Sequence, residues 1–133
     1  MAFAGRLHPL LIHFPIALIL LAVAAESMFL AVRDARWQFV ASVSVRAGAI
    51  SAAAAAGAGW LLAAAGTTDP APLLEWHRWL GTAVAVLAVA AALAARARAA
   101  SLYRVSLFTA GALLPVAGHL GAVLVWGANF LRL

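Results

Sequence analysis

Four histidines, His8, His13, His77 and His119, carry most of the metal-binding capacity of this 133-residue chain. It contains no cysteine, which excludes thiolate metal sites, disulfides, covalent c-type haem attachment and cysteine lipidation. Neutral imidazole is a good ligand for haem iron and for Zn, Cu or Fe. Two histidines on different helices can hold a b-type haem from opposite faces, saturating the iron for electron transfer. The expected ligands are therefore His13, His77, His119 and His8. Within that set, His13 is paired with His119 or His77, and His8 serves a second group or hydrogen-bonds a ligand. Arg6, Arg78 and Arg132 are placed to neutralise haem propionates by charge-assisted hydrogen bonds. Trp60, Trp76, Trp79 and Trp126 are placed to line the cofactor, although tryptophans at a membrane interface also form aromatic belts for no other reason.

These residues need elements to position them, and composition says which. Hydrophobic residues make up 67% of the chain and charged residues 10%, against about a quarter charged in an ordinary soluble domain. The apolar residues fall in long runs, and a spanning helix needs about 20 of them. A bilayer admits only helices or closed barrels, and the alternating polarity of barrel strands is absent. The expected fold is all-α, a single membrane domain of four transmembrane helices, over approximately 10–31, 47–65, 77–95 and 102–130. Arg6, the apolar run from Leu7 and the small residues Ala22, Ala24 and Ala25 imitate a secretory signal. The run continues beyond that point, so a retained first span is expected.

Pro9 and Pro15 lie at the entry to the first span, where Pro15 either sits in the first turns or kinks the helix. The Ala/Gly/Ser stretch from Ser51 to Gly59 offers a small face on which another backbone can pack closely. Gly66 to Pro72 reads as a loop. Beyond the pairing of two helical hairpins, no repeat is evident.

The direction of the spans gathers the histidines. His8 and His13 precede the first span, His77 begins the third, and His119 lies roughly 25 Å along a fourth helix that starts on the opposite side. With a hydrocarbon core of about 30 Å, all four belong to one shallow layer. Arg6, Arg78 and Arg132 share that side; Arg33, Arg36, Arg46, Arg96, Arg98 and Arg104 gather on the other. By the positive-inside tendency the second side is cytoplasmic, and both termini are periplasmic. The net charge of +5 is scattered between apolar runs and forms no nucleic-acid groove. Glu26, near the cytoplasmic end of the first span, would be costly unpaired; Arg46 or Arg104 is its expected partner, or it stays neutral. Asp69 and Glu75 are expected to be solvated.

The segment His8-Pro9-Leu10-Leu11-Ile12-His13-Phe14-Pro15-Ile16-Ala17-Leu18 resembles the start of an uncharacterised bacterial membrane-protein family, domain of unknown function 2231. Gly118-His119-Leu120-Gly121-Ala122-Val123-Leu124-Val125-Trp126-Gly127 is similar to that family's last helix, with Trp126 where tyrosine is more usual and His119 at a position expected to vary. The resemblance spans nearly the whole chain. It implies a four-helix bacterial membrane domain, at times found alongside cytochrome c domains, with a redox role but no defined activity.

The leading expectation is thus a small b-type cytochrome or haem-bearing electron-transfer subunit of the bacterial inner membrane, exchanging electrons with a periplasmic cytochrome or a larger redox complex. Zn, Cu or a chlorophyll-like pigment are alternative occupants. A cofactor-free structural or assembly subunit, or a pigment-binding subunit, are the competing functions. The spans lack the distributed polar path of a channel or transporter. Membrane lipids are expected neighbours, nucleic acid is not, and the small-residue faces also suit homo-oligomers.

Overall fold

A computed structural model describes residues 2–66 and 72–129, so Asp69 and Arg132 lie outside the described residues. The elements are α1 (Ala2–Arg6), α2 (His8–Leu11), α3 (His13–Val32), α4 (Ala35–Ala64), α5 (Pro72–Arg96) and α6 (Ala100–Trp126). No strand occurs among the described residues. Among the described residues, four stretches are long and apolar enough to cross a membrane: His8–Val32, taking α2 and α3 together, then α4, α5 and α6.

The break between α2 and α3 follows from proline chemistry. Pro9 occupies the first positions of α2, where a missing N–H costs nothing. Pro15 cannot return a hydrogen bond one turn back, and the helix is interrupted at Ile12. At the far end, α3 closes on Arg33 in the left-handed conformation (φ 55°), whose N–H bonds the Phe29 carbonyl at 2.8 Å. Asp34 then caps α4, accepting from the Arg36 N–H at 2.9 Å. The Arg36 guanidinium also grips this carboxylate, with Nη2 at 2.6 Å, and holds its pKa below the ordinary aspartate value. The second span's helix therefore starts at Ala35, well before position 47, with the exposed Arg46 carried on its surface. The last helix stops at Gly127 (φ 81°), short of position 130.

Packing is built on small residues. Ala22, Ala91 and Ala110 are fully buried around Ile19, Val45 and Leu107, the main large side chains of the interior. Leu10, Ile50, Val86, Leu93, Val105 and Val125 point outward. Outward aliphatics and inward alanines are the arrangement lipid favours, since close backbone approach is what holds such helices together.

The two hairpins, α3–α4 and α5–α6, repeat one pattern of burial. A single shift in numbering, the one that carries His8 onto His77, takes buried Pro15, Ile19, Ala22 and Ala25 onto buried Val84, Ala88, Ala91 and Ala94. A second takes buried Ala41, Ser44, Val45, Gly48, Ala52 and Ala55 onto Tyr103, Ser106, Leu107, Ala110, Leu114 and Ala117, the whole buried set of α6. Both hairpins start at the same end of the bundle. The neighbours α4–α5 and α6–α3 close the ring, as expected for two halves related by an approximate two-fold axis along the bundle. In these registers α3 runs on past the position matching Arg96 and α4 begins before the position matching Ala100, each by roughly one turn, so the tip of the first hairpin overhangs that of the second.

Candidate imidazole pair

At the end of the bundle where both hairpins start, His8 and His77 meet with ring centroids 6.2 Å apart and planes at 79°. The His8 Nδ1–H donates to the Ala55 carbonyl at 2.8 Å, and the His77 Nδ1–H donates to the Ala117 carbonyl at 2.9 Å. A carbonyl can only accept, so each Nδ1 must carry the proton. In the neutral ring this leaves each Nε2 with its lone pair. A backbone carbonyl on the far nitrogen is the usual arrangement for orienting a ligating histidine and raising its basicity.

Both rings lie in equivalent beds. A Cβ added to Gly59 would stand 3.0 Å from His8 Cε1, and one added to Gly121 would stand 2.9 Å from His77 Cε1. Each glycine is one helical turn beyond the carbonyl that its histidine bonds, so helix and ring fit at the same two points in each hairpin. Gly121→Ala is therefore expected to push His77 off the Ala117 carbonyl and to cost about 1–3 kcal/mol. Gly118→Ala, where a methyl meets open space, should stay within about 1 kcal/mol of the parent. Denaturant titration in detergent measures both.

Beside the pair, the Trp60 Nε1–H donates to Thr82 Oγ1 at 3.0 Å, and the Thr82 hydroxyl donates to the Arg78 carbonyl at 2.8 Å. The Arg78 guanidinium lies 3.8 Å above the Trp60 ring, a cation–π contact, and Trp79 meets Trp60 edge-on at 5.4 Å. Arg78 Nε is buried and finds no hydrogen-bond partner among the described residues. Such an orphaned donor calls for a water or ligand atom to satisfy it.

The remaining expected site residues lie elsewhere on this end. His13 is exposed and its Nδ1–H donates to Leu10 at 3.3 Å, within its own helix entry. His119 is exposed on α6. Thus the histidine rings in mutual contact are His8 and His77, whereas the sequence favoured pairing His13 with His119 or His77. Arg6, Trp76 and Trp126 are exposed, positions that suit a membrane interface. Thr82 and the glycine beds were missed in the sequence; the shared Ala-x-x-x-Gly spacing of Ala55/Gly59 and Ala117/Gly121 was the available signal. No group of three or more His, Asp or Glu able to hold a metal occurs among the described residues. A site here would rest on two protein ligands, as an iron macrocycle requires and a bare tetrahedral zinc does not.

No curated protein and no solved structure matches the chain. A family model described as predicted membrane protein, domain of unknown function 2231, matches residues 5–130, and the chain belongs to that family.

Proposed function

We propose that this chain is a small membrane electron-transfer subunit that holds one b-type haem iron between His8 and His77, close to the face where both hairpins start. The observation that carries the reading is the pair of imidazoles with both Nδ1–H groups committed to carbonyls and ring centroids 6.2 Å apart. Two imidazoles bound to one metal from opposite sides, with metal–nitrogen bonds of about 2.0 Å, place their ring centres about 6 Å apart. Bis-imidazole ligation leaves the iron no open position, which favours electron transfer over oxygen chemistry. The orphaned Arg78 Nε–H suits a propionate, and the Trp60–Trp79 pair supplies an apolar, polarisable wall. The arginine distribution supports an orientation with this end periplasmic, within reach of a soluble redox partner.

The test is the absorption spectrum and metal content of protein purified from haem-replete cells. A Soret band and reducible alpha band, with one iron per chain, are the expected result. Bands of a chlorophyll-like pigment would transfer the same two ligands to a different macrocycle. A colourless, metal-free protein would overturn the reading and leave the imidazoles as staples between helices, the role of a structural subunit.

A further inference from the structure

At the opposite end of the bundle, beneath the overhanging tip of the first hairpin, lies a cavity of about 540 Å³. Its polar lining comprises Glu26, Gln38, Ser42, Arg46, Arg98 and Arg104. The Glu26 carboxylate, 1% exposed, is already matched: Arg104 Nε donates to its Oε1 at 2.9 Å, and Tyr103 lies against it. Among the described residues, Arg46 and Arg98 have no such partner. Of the other described acids, Asp34 is held by Arg36, and Glu75 lies in the first turn of α5, at the far end. Two guanidiniums thus border a cavity without a carboxylate of their own.

The internal repeat explains why the space exists. The shifts that superpose the buried registers carry Glu26 onto Ala95 and Arg104 onto Ser42, and both of these line the cavity. An ion pair joins α3 to α6, while the corresponding positions on α5 and α4 hold a methyl group and a hydroxyl. The histidine end keeps the two-fold relation; this end breaks it, and the break leaves positive charge facing an unfilled volume.

We propose that this cavity is an anion site that takes a phosphate group, whose charge stands where the carboxylate missing at Ala95 would be. Guanidinium forks match phosphate oxygens in geometry as well as charge. The Ser42 hydroxyl and Gln38 amide add neutral donors. The same chemistry fits the headgroup of an anionic phospholipid or a soluble phosphate, and basic pockets between helices at a membrane face commonly take the former.

The experiment uses the full chain in phosphatidylcholine nanodiscs. One arm raises the fraction of phosphatidylglycerol and the other adds inorganic phosphate; thermal midpoint and native mass spectrometry report binding. A saturable rise in midpoint with one retained phosphatidylglycerol per chain is expected. Arg46→Gln and Arg98→Gln should each weaken it about fivefold, the effect of roughly one arginine on anionic lipid. Ala95→Glu supplies the missing carboxylate and should abolish binding while the helical circular dichroism is retained; if that variant fails to fold, Arg98→Gln decides. Saturable stabilisation by inorganic phosphate alone would keep the site and assign it to a soluble anion. The proposal is overturned if neither probe binds saturably, or if Arg33→Gln and Arg96→Gln, at the same end but outside the cavity, weaken binding as much as the cavity variants do. None of these readouts depends on occupancy of the histidine pair.

Discussion

Under the proposed haem ligation, His77→Ala is expected to remove the visible absorption bands and the bound iron together, and His8→Ala to do the same. The effect would be large because the group would be held by two protein ligands, His8 and His77, and a single imidazole would not retain it through purification. Neighbouring side chains cannot substitute, since the ring is replaced at a position pinned by a bond to Ala55 or Ala117. The informative comparison lies with the other two histidines. His13→Ala and His119→Ala, both at exposed positions of the same end, should retain full bands and one iron per chain. A protein that loses its bands with His13 or His119 but keeps them without His8 would reverse the assignment. Glutamine at position 77 is a useful intermediate, because it fills the volume and can still donate to Ala117 but offers no imidazole. A cofactor role predicts that His77→Gln folds and is colourless; a purely structural role predicts little change of any kind.

The second large effect concerns the Glu26–Arg104 pair, and it should be lopsided. The Glu26 side chain is 2% exposed, whereas that of Arg104 is 37% exposed and borders the cavity. Arg104→Met leaves a carboxylate that is 2% exposed without its cation, beside Tyr103, for which about 3–5 kcal/mol is the usual cost of removing one partner. Glu26→Gln leaves a guanidinium that can turn toward the cavity and water, so solvent screening reduces the loss to about 1–2 kcal/mol. Replacing both, with leucine and methionine, should recover most of the parent's stability, because the desolvation of two charges disappears with their attraction. Unfolding titrations of the parent, the two single variants and the double variant measure this directly. Equal losses in the two single variants would contradict the burial asymmetry.

What was legible in the sequence follows from what each signal depends on. Long apolar runs bounded by arginines are insensitive to rotation of the helices, so the four spans could be read directly. The gathering of histidines at one end depends only on span direction, and it placed His8 and His77 in one layer. Which rings touch depends on rotation, and there the pairing of His13 with His119 or His77 had little to rest on, for two physical reasons. The break at Ile12 separates His8 from His13, so the two do not follow one continuous helical spacing. The interior face of α4 is mostly alanine, glycine and serine flanked by more alanine, and α6 carries large apolar residues both inward (Leu107, Leu114) and outward (Leu102, Val105, Val116), so no contrast in polarity marks which side turns inward. The repeat was hidden for a related reason. Ile19 corresponds to Ala88 and Ala52 to Leu114: bulk has been traded between the halves, so the register persists while residue identity does not. Glu26, by contrast, was nameable as a group needing a partner, with Arg46 or Arg104 in reach, because a lone carboxylate in lipid has few partners available to it; the structure selects Arg104.

The division of the imidazole pair between two successive hairpins has a consequence for biogenesis. The ring of His8 is set by α4, and that of His77 by α6; neither half alone presents more than one nitrogen. An occupant bound through both is retained only after the second hairpin has docked on the first, and its binding free energy then favours the docked state over any partly inserted one. With the proposed haem bound, a chain whose last helix is in place would be more stable than a truncated or misinserted one.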